Sequence, residues 1–88
     1  MRTEKIKEII GDYFYDFWRN ATYEMLKNGK KCLKEELETC ELDVQTQYRH
    51  VAEYELICSY LGLSEIDLDF NRLKELREKY IKMYRKHG

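Results

Sequence analysis

Apolar residues recur along this chain at three- and four-residue steps, the spacing that lines up side chains on one face of an α-helix. The first such run is Ile6, Ile9, Ile10, Tyr13, Phe14, Phe17, Ala21 and Met25, with Trp18 at its margin. It predicts a helix from about Thr3 to Asn28, with Thr3 as its cap and Glu4 at the positive end of its dipole. Gly11 costs up to about 1 kcal/mol inside a helix. It could instead break the helix, with Asp12 capping a new start. The apolar stripe passes through Gly11 without a change of phase, so a single helix is expected. The apolar sector spans about half the circumference, wider than the ~100° one neighbour requires. Such a helix needs two partners: two helices of the same chain, or one helix and another molecule. Asp12, Asp16, Arg19 and Tyr23 fall on the opposite, polar side.

Asn28-Gly29 reads as a stop, because both residues tolerate the left-handed backbone that ends helices. The second run, Leu33, Leu37, Cys40, Val44, Tyr48, Val51 and Cys58, supports one long helix from about Lys31 to Leu61. Thr39 and Asp43 could each cap a fresh start, however, and Leu42 falls off the stripe, so two helices meeting near residues 40–43 is the alternative. Leu61-Gly62-Leu63 looks like a helix end with Gly62 in the left-handed position and Leu63 packing back. Ser64 with Asp67 resembles a capping box, and Asp69 is a second cap. The last helix starts near Glu65 or Phe70 and runs to Lys86, with Ile66, Phe70, Leu73, Leu76, Tyr80 and Tyr84 as its stripe and Arg72, Lys79, Lys82 and Lys86 opposite.

These elements make an all-α fold: a compact three-helix bundle over residues 1–88, or four helices if the middle segment breaks near residues 40–43. Helices 1 and 2 should pair across Asn28-Gly29, with helix 3 closing over them. Composition agrees. The 88 residues are 43% hydrophobic and 14% aromatic, contain no proline and only four glycines, and so suit a small helical domain rather than a disordered segment.

Charge adds a second layer. The formal net charge is −1, which steers no partner by itself. Its distribution is uneven: balanced over residues 1–29, acidic over residues 30–62 and basic over residues 63–88. The acidic run is Glu35, Glu36, Glu38, Glu41 and Asp43. Charged residues interrupt the start, no run is long enough for a membrane span, and Cys32, Cys40 and Cys58 form no C-x-x-C pair. A cytoplasmic protein with free thiols and no membrane association is expected.

Candidate chemistry is sparse. Cys32, Cys40, Cys58, His50 and His87 lack zinc-site spacing. His50 and Glu53 share a helix face, but in the reverse order of a Glu-x-x-His motif and without a second copy. Asp12 and Asp16 are one turn apart, with Arg19 offering an ion pair. Acidic neighbours make Cys40 a poor nucleophile; Cys32, after two lysines, is the more reactive thiol, and Cys58 reads as buried. No metal, cofactor or catalytic residue is assigned, and the chain is expected not to be an enzyme.

What remains is surface. The block Asp12-Tyr13-Phe14-Tyr15-Asp16-Phe17-Trp18 is aromatic at five of seven positions. Tyr13, Phe14 and Phe17 are assigned to the core, Trp18 to its edge and Tyr15 to the outside. Exposed aromatic residues among charges are common interface anchors. The chain is therefore expected to be a non-enzymatic protein-interaction module that binds and regulates or inhibits a larger partner, an inhibitor of a nucleic-acid enzyme encoded by a mobile element being one form. Tyr15, Trp18, Tyr23, Glu35, Glu36, Glu38, Glu41, Asp43 and Tyr54 are its candidate interface. A homodimer using the excess apolar sector of helix 1 is a further expectation. The alternative is a nucleic-acid-binding regulator using Arg72, Lys79, Lys82, Arg85 and Lys86 of the basic last helix.

Overall fold

In the computed structural model the chain forms four α-helices: α1 (Arg2–Arg19), α2 (Tyr23–Thr39), α3 (Val44–Tyr60) and α4 (Phe70–His87). It describes residues 2–87, and the side chains of residues 4–83. The expectations placed on the side chains of Thr3, Tyr84, Arg85, Lys86 and His87 fall outside that range. The fold is an all-α compact globule with no strand among the described residues. The four-helix alternative is the observed one, because the middle segment does break between Thr39 and Val44.

Local chemistry explains most boundaries. The Asp43 side chain accepts from Thr46 N at 3.4 Å and starts α3. Thr39 is not a cap; its hydroxyl donates back to the Glu35 carbonyl. At the end of α3, Gly62 has φ 73°, and Leu63 N reaches the Cys58 carbonyl at 2.9 Å, the left-handed stop read from Leu61-Gly62-Leu63. Leu63 itself is exposed rather than packed back. The cap of α4 is Asp69, which accepts from Arg72 N at 3.1 Å. The Ser64 and Asp67 pair is not a capping box; Asp67 is used elsewhere.

Two expectations about the first third are corrected. The helix expected to run to Asn28 ends at Arg19, and α2 restarts at Tyr23 behind Thr22, whose hydroxyl accepts from Met25 N at 3.2 Å. Asn28-Gly29 is therefore not a turn but lies inside α2. The second correction is Gly11, where φ 88° and ψ 162° interrupt α1. That conformation belongs almost only to glycine.

The Gly11 break has a large consequence. A continuous helix would hold Tyr13 and Phe17 in phase with Ile6 and Ile10. Instead Ile6 and Ile10 are buried, while Tyr13, Phe14 and Phe17 are 76%, 38% and 43% exposed. Tyr15 and Trp18 turn inward in their place. At about 100° per residue, this swap amounts to a rotation approaching half a turn. The assignment of Tyr13, Phe14 and Phe17 to the core was therefore wrong, and Met25 is also exposed.

α3 is the hub. It packs against α1, α2 and α4, and α2 also packs on α4. The pairs His50 with Glu36 and Tyr54 with Lys30 run in opposite directions along α3 and α2, so these two helices are antiparallel. They are the main pair, in place of the pairing expected across Asn28-Gly29. Leu26, Leu33, Leu37, Tyr54, Ile57 and Leu73 form the larger core cluster; Ile6, Ile10, Ala52 and Leu56 form a second cluster under α1, with Trp18 packed against both. A Cβ on Gly29 would collide with Trp18, coming within 2.7 Å of Cζ3. This glycine is a seat for the indole ring.

Candidate functional site

The residues singled out from the sequence separate into three groups. The first is internal. Tyr54 is fully buried, so it cannot anchor a partner. Its hydroxyl donates to the Asp67 carboxylate, and the Lys30 ammonium sits 5.3 Å from its ring centroid. Lys30 also reaches Asp67 at 3.3 Å, and the Lys34 ammonium donates to the Asp67 carbonyl. A buried phenol with an acceptor for its proton is stable in a core. Burial and the neighbouring carboxylate push the Tyr54 pKa well above its usual value. The hydrogen bond from Tyr54, helped by Lys30, holds the Asp67 carboxyl below its usual range.

Trp18 and Tyr15 are likewise tied down, though only half-buried. The Trp18 indole donates to Glu53 Oε1 at 2.9 Å. Glu53 is only 5% exposed, a carboxylate that the sequence reading did not place in the core. Its other oxygen lies 3.7 Å from His50 Nδ1, beyond hydrogen-bond reach, and that nitrogen is buried without a partner. His50 Nε2 lies 3.2 Å from Glu36 Oε1. This indole, carboxylate and imidazole cluster staples α1 and α2 to α3. No serine or cysteine hydrogen bonds His50 among the described residues, so no nucleophile and base are paired there. Tyr15 lies under the Lys7 ammonium, 5.3 Å from its ring centroid, with its hydroxyl against that of Tyr60.

The second group is the acidic run, which the fold divides. Glu36 is taken by His50. Glu38 accepts from Lys34 at 3.2 Å and from Asp69 N at 2.8 Å. Asp43 is spent as a cap. Glu35 and Glu41 remain exposed. Of the basic candidates, Arg72 donates to the Glu38 carbonyl and to Glu75, both at 3.2 Å. Lys79 and Lys82 are exposed, and the side chains of Arg85 and Lys86 lie outside those described. No group of three or more histidine, cysteine or acidic side chains is arranged to hold a metal among the described residues. Cys32 and Cys40 are exposed free thiols, and Cys32 lies mid-helix rather than at a helix start. Cys58 is buried, which pushes its thiol pKa up. None of the described helices is long and apolar enough to cross a membrane.

The third group faces solvent together. Tyr13, Phe14 and Phe17 crown the second half of α1, with Tyr13 edge-on to Phe14 at 5.2 Å. Met25 continues the patch on α2, and Tyr23, 65% exposed under Lys27, stands at the start of the same helix. A shallow groove of about 370 Å³ runs between Tyr13, Phe17 and Met25, with Asp16 and Asn20 at its edge. Asp12 and Asp16 have no ion-pair partner among the described residues. Of these exposed residues only Tyr23 was a candidate interface residue from sequence. Tyr13, Phe14 and Phe17 were missed because a helical stripe placed them inside; the one signal that could have moved them was Gly11.

Comparison of the chain with protein-family models, with curated proteins and with solved structures finds no match in any of the three.

Proposed function

We propose that the chain is a non-enzymatic protein-interaction module that binds and regulates a larger protein. The observation that carries this reading is the outward aromatic crown of α1. Tyr13, Phe14 and Phe17 stand on one helical segment with much of their ring surface in water, and only Phe17 reaches inward, edge-on to Trp18 at 4.9 Å. Aromatic side chains supply large contact area at low entropic cost and dominate interface energetics. Their hydrophobic surface in water is a cost that a monomer gains nothing from, and binding removes it.

Affinity capture from the native source, with the wild type beside the double variant Tyr13→Ser/Phe14→Ser, tests the reading. Neither side chain belongs to a core cluster, so the variant should keep the circular dichroism and cooperative unfolding of the wild type. A stoichiometric partner of the wild type should be lost from the variant. Identical capture by both proteins would remove the aromatic crown as an interface. A basic α4 acting on nucleic acid has weaker support, since Arg72 is held by Glu38 and Glu75.

A further inference from the structure

A second apolar surface lies on the hub helix, far from the crown in chemistry. Tyr48 of α3 is 58% exposed and stands at the meeting point of three grooves. One, of about 370 Å³, runs between α3 and the first half of α1, over Ile6, Ile9 and Val51. A second, of about 430 Å³, runs between α3 and α4, over Val44, Val51 and the 53% exposed Phe70. A third, of about 270 Å³, joins Ile9 to Arg49 beside Tyr48. Together they form a trough with an apolar floor along α3, walled by α1 and α4.

The rim of this trough is cationic. Lys5 stands on the α1 side, Arg49 on α3, and Lys74 and Arg77 on α4, against the single carboxylate Glu55 among the lining residues. Lys5, Lys74 and Arg77 make no ion pair among the described residues. In a chain of net charge −1 this is a local excess of positive charge. An apolar floor inside a cationic rim fits an acidic, apolar helix; a phosphate backbone would gain nothing from Val44, Tyr48 and Phe70.

The chain carries such a helix itself. The segment Asp12–Arg19 presents Tyr13, Phe14 and Phe17 with the exposed Asp12 and Asp16 beside them. At about 1.5 Å per residue it is roughly 12 Å long, and the floor from Val44 to Glu55 is roughly 18 Å. We propose that the aromatic crown of one copy docks into the α3 trough of a second copy, aromatic rings on the floor and Asp12 and Asp16 against the rim. The contact is between two different patches, so a closed pair would make it twice, once in each direction. This rests on the reading of the crown as an interface and names one occupant of it. Self-association and the capture of a larger partner would then compete for the same residues.

Sedimentation equilibrium of the purified full chain decides the matter. The wild type should self-associate, and added salt should weaken the association by screening. Two charge reversals should each raise the dissociation constant at least tenfold: Asp12→Lys/Asp16→Lys on the crown and Lys74→Glu/Arg77→Glu on the trough. Mixed in equal amounts, the two variants should associate again, because each reversed patch then meets its opposite charge. Unchanged circular dichroism keeps the loss distinct from unfolding. A wild type that stays monomeric to millimolar concentration overturns the proposal. So does association untouched by either reversal, or a mixture that does not recover. A monomer would leave the capture experiment to judge the interaction reading, since that experiment varies Tyr13 and Phe14 against a different protein.

Discussion

Tyr13 on α1 and Tyr54 on α3 are the same side chain in opposite circumstances, and the difference lies in what each hydroxyl can reach. Tyr54 is fully buried. Asp67 accepts its proton, Lys30 covers its ring, and the network continues to Lys34 and Glu38. Tyr13 is 76% exposed, edge-on to Phe14 and beside the shallow groove it shares with Phe17 and Met25. A phenol is buried at little cost when its hydroxyl has a partner, and at about 1–3 kcal/mol when it has none. The region around Tyr54 supplies that partner from the loop before α4. The region around Tyr13 has no such loop, and the Gly11 break turns it to water. One region is tied into the core, and the other is left at the surface.

This contrast can be broken by measurement, most easily where it is largest. Tyr54→Ala should lose about 3–5 kcal/mol of unfolding free energy, as other buried aromatic truncations do, and chemical denaturation will read it. A loss under 1 kcal/mol would mean that Tyr54 is not the anchor its surroundings imply. Gly29→Ala comes next. Its methyl must displace the Trp18 ring, which should cost about 1–3 kcal/mol as overpacking does. The same measurement checks it, with indole fluorescence following the ring.

Titration gives a third, smaller effect. The Tyr54 pKa is raised in the folded state, so its contribution to stability is full below about 10, the usual tyrosine value, and is lost as pH rises beyond it. Asp67 shifts the other way. Its contribution is present above the usual carboxylate value of about 3.9 and is lost as pH falls through its lowered folded value. Tyr54→Phe should therefore flatten both ends of the stability profile relative to the wild type. A parallel profile would sever the Tyr54–Asp67 link. Smallest of all, Tyr13→Ala should change stability by no more than about 0.5 kcal/mol, the range of ordinary surface substitutions. A larger loss would show that the crown serves the fold.

The sequence by itself determined that the chain is helical and where several helices end, though not how the first two divide. Periodicity, capping side chains and Gly62 are local signals, and a helix end depends on the few residues around it. Asp43, Asp69 and the Leu61-Gly62-Leu63 stop were legible for that reason. The acidic and basic runs were legible as composition, but not their fate. Whether Glu36 meets His50 or Glu38 meets Asp69 depends on which helices pair, which no local pattern states. Gly29 shows the limit in its sharpest form. Beside Asn28 it has the chemistry of a turn, yet it lies mid-helix because the Trp18 ring from another element needs the space. Gly11 is the converse: the apolar stripe continues through it as if nothing happened. Only the tertiary structure decided that the helix breaks there. After the break, Trp18 finds Glu53 and the cleft over Gly29 on one face of the helix, and Tyr13, Phe14 and Phe17 are left toward water on the other.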